Sequence, residues 1–297
     1  MMTPATKLNP TTQIAALNAL QDVSVAKLES DDKAEVLSFL NRRPLHTITL
    51  TGFIRDNGLV SPLNRGTFYG CRNRKGELEG VALIGHATLM ETTTDRALQA
   101  FAEIAQTRSD MHMIMGERER VDEFWNYYVD GGRQMRLACR ELLMDLQWPV
   151  AVQDSVANMR LATIDDLDMI IPIQAQMAFD ESGVNPLDTD PEGFRKRCLR
   201  RIEQGRTWVL VENDELLFKA EVISESEEVT YLEGIWVNPE ARGSRTGLRC
   251  ISQLARTLMA NTASLCVLVN EKNLSAQKMY ERAGFNLRSI YDTIFVY

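Results

Sequence analysis

The residues best suited to chemistry in this chain lie in its last third, in two short stretches. The first is the loop Asn238–Gly247, NPEARGSRTG, which leads into the run Leu248–Met259. In that run Leu248, Ile251, Leu254, Ala255 and Leu258 recur at helical spacing. A Gly-bearing loop at a helix N-terminus offers unpaired backbone N–H groups and the positive end of the helix dipole to an anion. Arg242 and Arg245, with Arg249 one turn on, add charge-assisted donors that suit a phosphate. The second stretch is NEKNLSAQKMYERAGF, Asn270–Phe285. Asn273, Ala276 and Tyr280 are spaced three and four apart and share one helix face. The small Ala276 leaves room beside that helix, and Tyr280 carries a hydroxyl toward the same side. The blander reading is a packed alanine and a tyrosine whose ring fills the core.

These stretches need strands to hold them. Tyr231–Val237 is a β-prone run before the loop, and Leu265–Val269 is another before the second stretch. Thr207–Glu212 and Leu216–Ile223 form a hairpin around Asn213-Asp214. Residues 165–179 and Phe194–Glu203 read as helices, with an acidic loop Asp180–Asp190 between them, and Leu287–Tyr297 is a β-prone tail. Upstream, residues 31–41 read as a helix, Thr67–Cys71 and Leu78–Ile84 as a hairpin, and Arg96–Gln106 as an amphipathic helix. Met111–Met115 reads as a strand, followed by the aromatic helix Val121–Val129, closed by Gly131 and Gly132. The aromatics Phe124, Trp125, Tyr127 and Tyr128 fit a core better than a ligand site.

The Trp148-Pro149 step marks the expected domain boundary. The division is an arm over 1–21, a first domain over 22–149 and a second over 150–297. The two domains look like diverged copies. Each has a strand–turn–strand unit, then a short apolar strand, then a charged step and an aromatic-bearing helix. The intervening segment is 26 residues in the first (Gly85–Asp110) and 41 in the second (Ser224–Ser264). The shorter one is expected to hold the helix but not an extra strand and loop.

Composition bounds the function. The 297 residues are 44% hydrophobic and 25% charged, enough to bury two cores. The net charge of −8 argues against a nucleic-acid backbone or an anionic membrane as partner. The five cysteines (71, 139, 198, 250, 266) form no CxxC pair and lie apart from the histidines at 46, 86 and 112. No zinc site or disulfide framework is expected, Cys250 and Cys266 read as buried fillers, and the expected compartment is the cytoplasm.

Taken together, the two stretches resemble the GNAT superfamily of N-acetyltransferases. Asn273, Ala276, Tyr280, Gly284 and Phe285 match that family's later motif, Asn-x-x-Ala-x-x-x-Tyr followed by Gly-Phe. Val237, Pro239, Arg242, Gly243 and Gly247 match its loop, and Arg245 stands where the family's middle glycine belongs. The resemblance covers about residues 155–297. It is similar to the catalytic half of tandem-GNAT proteins, whose other half is a degenerate copy. The implied fold is α/β (α+β), with two domains that each carry a mixed, mostly antiparallel twisted sheet flanked by helices.

The resemblance also implies acetyl-CoA as cosubstrate, with no metal, and a small-molecule or protein amine as acceptor. The implied cofactor-binding residues are Ile235, Trp236 and Val237, the loop Arg242, Gly243, Ser244, Arg245, Thr246, Gly247 and Leu248, and Asn273 and Ala276. Tyr280 is the implied acid, and Glu233 is the candidate base. Arg245 is expected to hold a permitted backbone conformation and to reach phosphate with its side chain. Asp180 or Glu181 stands as a holder of a cationic acceptor, against the blander reading of a solvated acidic loop. A second reading of the whole chain is a non-catalytic CoA-binding or ligand-sensing module. A third is transfer of an aminoacyl or longer acyl group on the same scaffold.

Overall fold

The computed structural model describes residues 23–297, and the arm expected over 1–21 lies outside them. Contacts divide the chain into two units: one runs to Ala138 and adds Asp292–Tyr297, and the other is Cys139–Tyr291.

In the first unit, β1 (Val23–Lys27) precedes helices α1 (Lys33–Leu40) and α2 (Pro44–Asn57). The expected hairpin follows as β2 (Gly66–Asn73) and β3 (Leu78–Gly85). Then come β4 (Ala87–Thr92), α3 (Asp95–Gln106), β5 (Met113–Glu117) and α4 (Arg118–Tyr128). The strand order is β1-β2-β3-β4-β5, and the residues Asp292–Val296 close the sheet. Phe101, Ile104, Phe124 and Tyr128 of α3 and α4 build one core, with Trp125 and Tyr127 packed against it. Val36, Leu40 and Ile54 of α1 and α2 meet Phe68 and Val81 in another. The aromatic helix is therefore core, as its composition suggested.

Two expectations are corrected here. The 26-residue segment does hold the extra strand, because β4 starts one residue after β3 and only Thr93 and Thr94 separate it from α3. Helix α2 was also missed. Its threonines at 47, 49 and 51 lower local helix propensity, and burial of Ile48, Leu50 and Ile54 overrides them.

The second unit takes the distal part of β6 (Met135–Gln147), then β7 (Met159–Leu161), α5 (Leu167–Ser182), α6 (Pro186–Thr189) and α7 (Pro191–Glu203). The chain continues through β8 (Thr207–Glu212), β9 (Glu215–Glu225), β10 (Thr230–Val237), α8 (Thr246–Leu258), β11 (Ser264–Asn270) and α9 (Leu274–Ala283). The final strand β12 (Asn286–Val296) contributes its residues to Tyr291. The order is β7-β8-β9-β10-β11-β6-β12. The Trp148-Pro149 step lies inside this unit. Strand β6 pairs antiparallel with β11 from Glu141–Asn270 to Gln147–Ser264, which carries it across the expected boundary.

Both units run on one plan. Strands β1 to β4 and β7 to β10 are antiparallel neighbours, whereas β4 with β5 and β10 with β11 are parallel. A parallel pair needs a crossover, and α3 and α8 supply it. Helix α8 buries Ile251, Leu254 and Ala255 with Tyr280 and Ala283 of α9 in one core of the second unit. Leu167, Ile170 and Ala175 of α5 join Phe194, Cys198 and Ile202 of α7 in the other. Burial of each large aliphatic side chain contributes roughly 1.5–3 kcal/mol. These two helix pairs hold the sheet between them and fix the candidate site.

Candidate active site

Strands β10 and β11 pair over Thr230–Leu265, Tyr231–Cys266 and Leu232–Val267, and there the parallel ladder ends. Strand β10 nevertheless runs on to Val237, and β11 to Asn270. The cause is a bulge: the register of β10 against β9 shifts between Glu233 and Trp236. Gly234 sits in it at φ +59°, and a Cβ there would stand 2.9 Å from Lys219 Nζ and 3.3 Å from Gln174 Oε1. Both the dihedral and the space demand glycine. Beyond the bulge Ile235 and Val237 pack toward the α8–α9 core, whereas Trp236 packs on the α5–α7 side. Residues 234–237 thus pass the gap without ladder partners on the β11 edge.

The loop after β10 is fixed at its start. Asn238 accepts from the Glu240 N–H and donates to Glu215 Oε1 and the Leu216 carbonyl, at 2.8 to 3.1 Å. Arg242 Nε donates to the Val237 carbonyl at 3.1 Å. Gly243, at φ +80°, has no atom within 4 Å of where its Cβ would be. Ser244 donates to the Ala241 carbonyl and bonds the Thr246 hydroxyl at 2.8 Å. Arg245 is the N-cap of α8, at φ +66° and ψ +4°, and makes no side-chain cap bond. The expected permitted conformation is corrected: Arg245 lies in the left-handed region, which glycine enters without steric cost. The first-turn N–H groups of α8 therefore face outward with no side-chain acceptor from their own cap.

Gly247 is buried, and a Cβ there would lie 2.8 Å from both Met279 Sδ and Val237 Cγ2. It lets α8 start hard against β10 and α9. Leu248 is half-buried in the same core. Arg249 does not join the other arginines: it donates to the carbonyls of Asp154 and Ser155, the latter at 2.8 Å.

On α9, Asn273 is the N-cap, and its side chain accepts from the Ala276 N–H at 3.1 Å. Ala276 is partly buried against the α8–α9 core, and Gly284 ends the helix at φ +100°. Tyr280 is buried, with its ring 5.5 Å from that of Phe285. Burial pushes its hydroxyl well above the usual tyrosine range, so it stays protonated. Cys250 and Cys266 are fully buried and their thiols are pushed up, Cys250 to about 12. Neither is a reactive thiolate.

The opposite face of the sheet carries charge. Tyr231 donates to Glu233 Oε1 at 3.1 Å. Glu233 keeps solvent access, yet surrounding protein makes burial the largest influence on its carboxyl, which is raised above the usual range. Lys219, fully buried, bonds Glu221 at 3.0 Å, and Arg201 Nε lies 3.8 Å from Glu221. Glu181 also keeps solvent access, yet the protein around it pushes its carboxyl up to about 8, by desolvation first and then by Glu233 and Glu141. Asp180 is not part of this group and accepts from Gln176. Both acids lie in α5, so the expected acidic loop is in its first residues a helix.

Lys219, Glu221, Arg201, Tyr231 and Glu141 were not singled out from sequence. The alternation of β9 was the available signal: Phe218, Ala220 and Val222 face the α8–α9 core, which turns Lys219 and Glu221 to the other face.

The first unit repeats the splay without the loop. Its parallel ladder stops after Ala87–Met113 and Thr88–Ile114. Farther along, Arg43 bridges the two strands, with one guanidinium nitrogen 3.2 Å from Glu91 of β4 and another 2.6 Å from Glu117 of β5. Thr94 caps α3 with its own side chain, and Asp95 adds negative charge in the first turn. Both features oppose an anion there.

This geometry has known counterparts. Residues 174–285 match the family model described as the acetyltransferase (GNAT) family. These residues form a GNAT domain. A GNAT-family acetyltransferase from Colwellia psychrerythraea aligns with 92% of this chain and 100% of its own, at 14% identity and a TM-score of 0.60. A Drosophila protein solved by structural genomics aligns with 92% of this chain and 98% of its own, at 12% identity and a TM-score of 0.66. A tandem GNAT protein from the clavulanic acid biosynthesis pathway aligns with 92% and 98%, at 10% identity and a TM-score of 0.57. At these identities the shared property is the fold. A search of curated proteins gives no match. Among the described residues, no group of three or more His, Cys, Asp or Glu is placed to hold a metal ion, and no helix is long and apolar enough to cross a membrane.

Proposed function

We propose that the GNAT domain transfers an acetyl group from acetyl-CoA to a primary amine by direct attack. The observation that carries this reading is the parting of β10 from β11 beside the uncapped start of α8. An extended thioester arm fits the unpaired edge of Ile235–Val237, and a pyrophosphate fits the outward N–H groups at Gly243–Leu248, where the space at Gly243 is open. Arg245 lies beside this helix start, and among the described residues its guanidinium makes no hydrogen bond. Asn273 acts in this scheme by capping α9 and Ala276 by leaving room beside it. Acetyl-CoA supplies the acyl group as an activated thioester.

The residues divide the proton work. Glu233 takes a proton from the acceptor ammonium and frees the nitrogen lone pair, which forms the C–N bond as the C–S bond breaks. Tyr280 gives its proton to the departing sulfur and is restored by the second proton the nitrogen sheds. Burial makes Tyr280 a weak acid, but a thiolate leaving into the same surroundings is a stronger base than in water. Burial raises the pKa of a thiol for the same physical reason that it raises that of a phenol.

Release of free CoA from acetyl-CoA over a panel of primary amines tests the reading. Turnover is expected, with kcat lowered at least about a hundredfold in Tyr280→Phe and acetyl-CoA affinity retained. Binding of acetyl-CoA without turnover on any amine would instead favour a ligand-sensing module.

A further inference from the structure

Tyr231 and Glu233 are two apart on β10 and share a sheet face. Tyr231 is 3% exposed, packed between Ser224 of β9 and Cys266 of β11, so its ring has little freedom. Its hydroxyl donates to Glu233 Oε1 at 3.1 Å. The other charged groups around Glu233 come from every neighbouring element. Lys219 and Glu221 lie on β9, Arg201 on α7, Glu181 at the end of α5 and Glu141 on β6. The two cations are engaged with Glu221. Glu221 carries the same charge as Glu233 and opposes its ionisation, and Glu233 in turn opposes the ionisation of Glu181. Among the described residues, the Tyr231 hydroxyl is the hydrogen-bond donor that reaches the Glu233 carboxylate.

On the reading of Glu233 as the base, we propose that Tyr231 is a positioning residue, which fixes the Glu233 carboxylate and holds it ionised for proton transfer from the acceptor amine. A hydrogen bond to the charged form of an acid favours that form. The tyrosine can serve throughout the working pH range, because burial keeps its own hydroxyl protonated.

The test is the pH profile of kcat/KM for the amine, whose acid limb reports the base in the free enzyme. Tyr231→Phe is expected to move that limb up by about one unit, the equivalent of one hydrogen bond to a charged group. It is also expected to lower kcat with the acetyl-CoA KM unchanged. Incorporation of 3-fluorotyrosine at 231 keeps the packing and strengthens the donor, so it should move the limb the other way. That variant decides the matter even if Tyr231→Phe does not fold. A limb that stays in place with 3-fluorotyrosine, while Glu233→Gln removes it, would overturn the role of Tyr231 and leave Glu233 as the base. Full activity and an unchanged limb in Glu233→Gln would overturn the base itself, and with it this inference.

Discussion

Replacing Arg245 by glycine separates two things that this residue does at once. Its backbone lies at φ +66° and ψ +4°, where an L side chain costs roughly 1–2 kcal/mol. Among the described residues the exposed guanidinium makes no hydrogen bond, so folding loses nothing when it goes. Glycine gives back roughly 0.4–1 kcal/mol through the greater freedom of the unfolded chain. The net gain is about 0.5–1 kcal/mol, or a rise of about 2 °C in the midpoint for a unit near 150 residues. Acetyl-CoA affinity should move in the opposite sense. A charge-assisted bond to phosphate is worth roughly 1.5–3 kcal/mol before solvent screening, and at an exposed loop about a tenfold loss remains. Arg245→Ala is the control, because it keeps the strain and loses the charge, and it should bind as weakly with no gain in stability. Scanning calorimetry without ligand and titration calorimetry with acetyl-CoA read the two quantities. A Gly variant less stable than wild type would refute the strain argument. Unchanged affinity in both variants would refute the phosphate contact.

Three further outcomes follow from the same structure. Glu181 titrates near 8 when folded and near 4.5 when unfolded, so the native state holds the extra proton between those values. Its contribution to stability therefore falls as pH rises from about 5 to 8. Urea midpoints across that range should decline less in Glu181→Gln than in wild type, and the difference between the two removes the opposing influence of the half-buried His46 and His112. Gly247→Ala places a methyl 2.8 Å from Val237 Cγ2 and Met279 Sδ, and the methionine yields more easily than the strand. A loss of roughly 1–2 kcal/mol is expected by urea unfolding, and a neutral result would mean that α8 is not wedged against β10. Titration calorimetry should give one acetyl-CoA per chain, since Arg43 spans the first unit's splay. A stoichiometry of two would contradict that.

Much of the second unit was legible because its signals are local. The helix face Leu248–Leu258 and the turn at Asn213-Asp214 each follow from spacing within a dozen residues. The loop and the face of Asn273, Ala276 and Tyr280 were legible in the same way. What spacing did not distinguish was the job of each residue. Asn273 is a helix cap, and Arg249 is spent on the carbonyls of Asp154 and Ser155, nearly a hundred residues away in sequence. Strand β6 was missed for a related reason. Its Arg136, Arg140, Glu141 and Asp145 break the apolar pattern, and its assignment depends on pairing with a strand over a hundred residues later. The charged face was hidden most deeply. Glu233, Glu221, Lys219, Glu181 and Arg201 come from four elements, and each alone reads as an ordinary surface charge.

On the proposed function, the two units differ by little in keeping or losing an anion site on one topology. Each has a parallel pair that parts after two or three residues, with a helix starting near the opening. In the second unit eight residues, 238–245, separate the end of β10 from the start of α8. Gly243 and Arg245, both in the left-handed region, turn backbone N–H groups outward, and the helix keeps its first turn free of a side-chain cap. In the first unit the connection is Thr93-Thr94. Thr94 caps the helix itself and Asp95 reverses the sign of the local charge. The gap is then stabilised by Arg43 between Glu91 and Glu117, which supplies internally the cation that two facing carboxylates require. A CoA site in the first unit would therefore require both a longer β4–α3 connection and removal of the Arg43 bridge.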